Sequence, residues 1–187
     1  ISEQGLDGFL GAFQGIHTLE LNSNLLANLP APVFAINDLK HLSASGNQLR
    51  STPQLTTQLA TLTQLQSLDL SHNWLESLDV SPLAQLGALN LQTNRLVAWP
   101  EGVLELPSLT TLNLRDNMLE AVPHAWMSER YSRLRAGVDL SSNDSLSGQS
   151  LIMLRNEINP GETIMGWSAE ELDEVLDSEE ADSIFGS

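Results

Sequence analysis

The chain has no cysteine among its 187 residues. Disulfides, thiolate metal sites and cysteine nucleophiles are excluded together. Positive charge is scarce: 8 Lys and Arg stand against 24 Asp and Glu, for a formal net charge of −16. The electrostatic footprint of a nucleic-acid or anionic-membrane binder is therefore missing, and neither is expected as a partner. No apolar run approaches the ~20 residues that span a bilayer, and no signal-peptide pattern opens the sequence. A single elongated, monomeric domain without metal or cofactor is expected.

What the chain does have is leucine in a fixed frame. Leu65, Leu68, Leu70, Asn73 and Leu75 follow Leu-x-x-Leu-x-Leu-x-x-Asn-x-Leu. The frame returns as Ile16, Leu19, Leu21, Asn24, Leu26 and as Leu39, Leu42, Ala44, Asn47, Leu49. It returns again as Leu86, Leu89, Leu91, Asn94, Leu96 and as Leu109, Leu112, Leu114, Asn117, Leu119. A looser sixth copy holds Val138, Leu140 and Asn143. Successive asparagines lie 23, 26, 21, 23 and 26 residues apart. A frame of this kind in units of this length is the signature of leucine-rich repeats. The expected fold is an α/β solenoid, a horseshoe with a parallel concave sheet.

Asparagine inside an apolar frame has a physical reason. Each Leu-x-Leu piece forms a short strand, after which the chain must turn and leave backbone N–H and C=O groups buried without ladder partners. A carboxamide both donates and accepts, so it can satisfy groups of its own turn and of the next coil. Asn24, Asn47, Asn73, Asn94, Asn117 and Asn143 are thus expected to form a structural ladder, not a catalytic set.

Between strands the chain returns along the convex side. Leu29-Pro30, Thr52-Pro53, Trp99-Pro100 and Val122-Pro123 recur there and favour irregular turns over long helices. Short helical or 3₁₀ turns are expected, with fuller helical turns at 54–64 and 124–133, where two units carry about three extra residues. Four segments result: 1–15 as an N-terminal cap or truncated repeat with Phe9, Leu10 and Phe13 facing the core, 16–146 as about six repeats, 147–160 as a capping helix, and 161–187 as an acidic linker toward a further domain. In that last segment, Ser168 and Glu171 form a capping box for a short helix over about 169–177.

With the leucines inward, the variable strand positions face the concave side. They read Glu20, Ser43, Asp69, Asn90, Asn113 and Asp139 in one column. His41 precedes this column, while Ser71, Gln92, Arg115 and His72 follow it. This polar, mildly acidic face is the expected partner-binding surface, and net charge makes a basic protein surface the expected partner. His41, His72, Asp69 and Ser67 invite a catalytic triad reading, but nothing supplies an oxyanion hole or a pocket, and no metal-ligand spacing is present. The chain is expected not to be an enzyme.

The closing stretch "LRAGVDLSSNDSLSGQSLIMLRNEINPGETIMG" carries Leu140, Asn143, Leu146, Ser147, Ser150, Leu151, Leu154 and Arg155. It is similar to the last repeat and cap of large bacterial effectors in which repeats precede a novel-E3-ligase (NEL) domain, a cysteine-dependent ubiquitin ligase secreted into host cells. The repeats here are longer than in that family, and without cysteine the family's nucleophile is absent. The resemblance therefore implies the substrate-recognition and regulatory arm alone, binding a host protein from the host cytoplasm. The alternative is a stand-alone cytoplasmic scaffold.

Overall fold

The computed structural model describes residues 15–185. Residues 1–14, with the core positions expected at Phe9, Leu10 and Phe13, and residues 186–187 lie outside the described residues.

Six coils stack side by side, each contributing one short strand: β1 (Thr18–Glu20), β2 (His41–Ser43), β3 (Ser67–Asp69), β4 (Ala88–Asn90), β5 (Thr111–Asn113) and β6 (Val138–Asp139). They make one parallel sheet in chain order. Leu19, Leu42, Leu68, Leu89, Leu112 and Val138 stand opposite one another across it. The central residue of a three-residue strand points to the face opposite its neighbours, so a Leu between two polar residues puts the leucines in the core. From Leu42 onward these side chains are buried.

The return segments form the convex side. Ala31–Ala35 and Val103–Glu105 are 3₁₀ turns. The longer second unit forms helix α1 (Pro53–Leu59), where Thr52 caps by accepting from the Leu55 N–H at 3.1 Å and Pro53 occupies the first position, at which its missing N–H costs nothing. The longer last unit is more broken: 3₁₀ turns His124–Met127 and Glu129–Tyr131, then α2 (Ser132–Arg135). Its bulk comes from the fully buried Trp126, whose ring lies 4.6 Å from Trp99 and 5.6 Å from Tyr131.

The chain closes with α3 (Gly148–Asn156), an antiparallel hairpin of β7 (Thr163–Ile164) and β8 (Trp167–Ser168), and α4 (Ala169–Phe185). Of the acidic linker and helix expected at 161–187, the helix is present, but its start packs on the array and is not a free linker. Met165, Trp167, Ala169 and Leu172 are buried in the common core. The reason is the exposed edge of β6, whose backbone needs partners. The Leu140 N–H donates to the Met165 carbonyl at 2.7 Å, as it would to another strand. Gly166 permits that approach: at φ +85° a Cβ there would meet Asp139 Oδ1 at 2.2 Å. Ser168 and Glu171 complete the capping box, with Glu171 Oε2 accepting from the Ser168 N–H at 2.8 Å and Ser168 Oγ accepting from the Glu171 N–H at 3.1 Å. These bonds hold the Glu171 carboxyl below the usual carboxylate range. Helix α4 runs well past the expected end at residue 177, and Arg155 of α3 grips its Asp173 through two bonds of 2.6 and 3.0 Å. That bidentate contact lowers the Asp173 pKa.

Candidate protein-binding surface

Each coil leaves its strand through the same turn. The residue before the asparagine has positive φ in all six: Ser23, Gly46, His72, Thr93, Asp116 and Ser142, between 53° and 67°. In the first five its N–H donates to the following coil, as His72 does to the Gln92 carbonyl at 2.8 Å and Thr93 to the Arg115 carbonyl at 2.9 Å. The asparagine then turns inward. Asn94 Oδ1 accepts from the Leu75 N–H at 2.9 Å, while Nδ2 donates to the Leu70 and Leu91 carbonyls at 3.0 Å each. Asn73, Asn117 and Asn143 repeat the pattern toward Leu49, Leu96 and Leu119. Asn47 accepts from both Asn24 and Leu26.

Two expectations change. The asparagines reach back to the preceding coil, not to the next. Asn24 is exposed, and its Nδ2 donates to the Asn22 carbonyl, so it does not form a buried rung like the other five.

The concave face is solvent-accessible along its strands, and at its C-terminal end Arg115 shares a cleft with Glu171 and Glu174 of α4. Thr18, Glu20, His41, Thr111 and Arg115 are exposed there, and Ser43 is half-buried. From β3 onward the column that begins with Glu20 and Ser43 is occupied differently from what the sequence suggests. Asp69 Oδ1 accepts from the Ser71 N–H at 2.9 Å and the Ser71 hydroxyl at 2.7 Å. Asp139 does the same for Ser141 at 2.9 and 2.6 Å. Asn90 and Asn113 accept from the N–H groups of Gln92 and Arg115 at 3.2 and 3.0 Å. These four side chains terminate strands through local turns. Gln92 joins a lateral network, with Asn113 donating to its amide oxygen at 3.3 Å and its own amide donating to Asp116 at 3.4 Å.

Two predicted contact residues are corrected outright. Ser71 is buried, its hydroxyl held between Asp69 and Ser45 Oγ, the latter at 2.8 Å. His72 sits in the left-handed turn (φ 53°) at the rim, where the strand has already ended, not on the sheet face. Asp69 bonds serine rather than either histidine, so the described geometry assembles no triad. Among the described residues there is no group of three or more His, Asp or Glu side chains placed to hold a metal, and no helix long and apolar enough to cross a membrane.

A Leucine Rich Repeat family model matches residues 64–86, the third coil. The frame, the ladder and the in-register parallel sheet extend the same unit to all six coils. The chain is a leucine-rich-repeat array. It is 31% identical to rat Tsukushi over 136 residues, which is 71% of this chain and 38% of that protein. Among solved structures, the array resembles internalin C2 of Listeria monocytogenes (27% identity, TM-score 0.53, covering 63% of this chain and 50% of that one). It also resembles a chain of the BIR3–SERK2 complex of Arabidopsis thaliana (30% identity, TM-score 0.55, 69% and 68%). The array thus spans well under half the length of the curated relatives it matches.

Sequence reading missed two features of the array. The left-handed column was legible in principle, because Ser, Gly, His, Thr, Asp and Ser directly precede the asparagines, and His, Asp and Gly are over-represented at positive φ. The other is a lateral stripe in which Arg50 and Arg95 stack on Trp74 at 4.7 and 5.6 Å. Its signal was the residues one and three places after each asparagine: Trp74 and Arg95 at the first, Arg50 at the second.

Proposed function

We propose that the array is a protein-recognition module whose concave sheet face takes the partner. One observation carries this reading: a six-stranded parallel sheet with an uncovered face. All-parallel sheets occur almost only with both faces covered, so an open one is the exception to account for. The contact set we favour is Thr18, Glu20, His41, Thr111 and Arg115, which are exposed, whereas Asp69, Asn90, Asn113 and Asp139 are occupied at strand ends and the Ser43 hydroxyl donates to Asn22 Oδ1 at 2.6 Å. At net charge −16 a monomer meeting a basic protein surface is favoured, and complementarity acts mainly on the association rate. The BIR3–SERK2 complex supports the reading by likeness, since a repeat array of similar fold there assembles with another protein.

The finer reading is the substrate-recognition arm of a bacterial ubiquitin-ligase effector working in the host cytoplasm. What supports it is the similarity of residues 134–166, the last coil and its cap, to that family; the alternative is a stand-alone cytoplasmic scaffold. The gene beyond Ser187 separates them, because only the first requires a downstream domain with a catalytic cysteine.

The test begins by recovering a partner with the full chain and measuring its binding by calorimetry. His41→Glu with Thr111→Arg places two new charges on the open face without touching a leucine, and should abolish binding while circular dichroism stays unchanged. Glu101→Arg, on the convex side, should do nothing. Loss of binding in the convex variant, with the concave variant intact, would sink the reading.

A further inference from the structure

We infer that the array has a second docking surface on its flank, built around Trp74, for an acidic protein segment with aliphatic side chains. The position after each asparagine stacks coil on coil: the N–H of Trp74 donates to the Leu49 carbonyl, that of Arg95 to Leu75 and that of Met118 to Leu96, at 2.8–2.9 Å. The side chains of this column therefore form a continuous strip about 4.8 Å apart. Four large hydrophobic residues are exposed among the described residues, and three lie one or three places after an asparagine: Leu25, Val97 and Met118. Scattered exposed leucines need no explanation, but alignment into a strip with a half-buried tryptophan does.

The arginines give the strip its chemistry. Arg50 from the second coil and Arg95 from the fourth lie over the indole of the third at 4.7 and 5.6 Å. A cation over an aromatic face is attracted by the ring quadrupole, and that contact uses none of the guanidinium N–H donors. Among the described residues neither side chain makes a hydrogen bond or ion pair, and Glu76, on the same flank, is within ion-pair distance of neither. Two of only eight basic residues in a chain of net charge −16 thus gather on one indole without an ion pair among the described residues. Orienting them beforehand removes the ordering cost that a flexible arginine would meet on binding. Carboxylates match the forks bidentately, and aliphatic groups match Val97 and Met118. The array's overall negative field opposes this ligand only at long range, and at physiological salt it is screened beyond about 8 Å. A nucleic-acid strand, with charge along its whole length, would meet that repulsion everywhere.

This surface is separate from the concave face, and the experiment keeps the two apart. The probe is a synthetic helical peptide of glutamate and leucine, titrated into the full chain at physiological salt and followed by amide and arginine Nε–H NMR spectra. Shifts should cluster at Arg50, Trp74, Arg95, Val97 and Met118. Arg50→Glu with Arg95→Glu should weaken binding about tenfold or more. Met118→Ser, which removes an exposed apolar contact and leaves Trp74 and the arginines untouched, should weaken it without changing the thermal melt. His41→Glu with Thr111→Arg should leave peptide binding unchanged. The inference is overturned if the peptide does not bind, if its shifts fall on the sheet face, or if the flank variants bind as well as the parent. It is overturned equally if the lysine-for-glutamate peptide or an oligothymidylate strand occupies the strip instead. In each case the concave reading still stands or falls on its own variants.

Discussion

The middle of the array and its C-terminal end solve one problem by different means. In the middle, every coil is closed by the asparagine of its successor, so a single residue type repeated at one position suffices. At the end no successor exists. A serine hydroxyl, Ser150, accepts from the buried Val122 N–H at 3.0 Å, a hairpin carbonyl takes the Leu140 N–H, and a helix covers the exposed leucines. The difference teaches that periodic sequence encodes the interior of a solenoid, whereas its end is assembled from unrelated parts.

Breaking the end should have the largest effect. Deleting residues 163–187 uncovers β6 and the core around Leu140, and the chain should elute as aggregates in size-exclusion chromatography with light scattering. A folded monomer would mean that the hairpin and α4 are ornaments. In the middle, Asn73→Leu strands the Leu49 N–H and three carbonyls, and should cost roughly 3 kcal/mol in chemical denaturation. Asn24→Leu is the matched control: exposed, it should change stability by less than about 0.5 kcal/mol. Equal losses at both positions would refute the account of the ladder. Gly166→Ala combines φ +85° with a clash against Asp139 and should cost about 1–3 kcal/mol, read as a lowered melting temperature.

The smallest effect is a matter of pH. Asp173 and Glu171 have carboxyls held below their usual range, by the Arg155 hydrogen bonds and by Ser168. A depressed folded-state pKa contributes stability that is present above the unfolded value, near pH 4, and is lost as pH falls through the lower folded value. Hydrogen exchange should therefore show α4 losing protection below about pH 4 before the sheet does. Arg155→Met should remove the part of that dependence that belongs to Asp173.

The fold was legible because its cause is periodic. Leu-x-Leu and the asparagine spacing locate every strand of the main sheet, and two extra-long units mark α1 and the broken run of 3₁₀ turns at His124–Met127 and Glu129–Tyr131. The end was less legible. Ser168 and Glu171 mark the start of α4, but nothing local says that Met165 would stand in for a missing strand, since that depends on an edge built twenty-five residues earlier. The contact residues were the least legible. Asp69 and Asn90 look like free polar groups in the sequence, but at the strand end the chain turns so that the N–H two residues on meets their side-chain oxygens. Ser71 is buried with its hydroxyl held by Asp69 and Ser45.

The ladder points backward, and this orders events on the ribosome. Each coil receives its last hydrogen bonds from the asparagine of the coil made after it, so a growing chain always carries one unfinished coil at its trailing end. Synthesis cannot complete the array by adding repeats. Only the non-repetitive end can stop the wait, and nascent chains stalled before Met165 emerges should remain open to protease at the sixth coil.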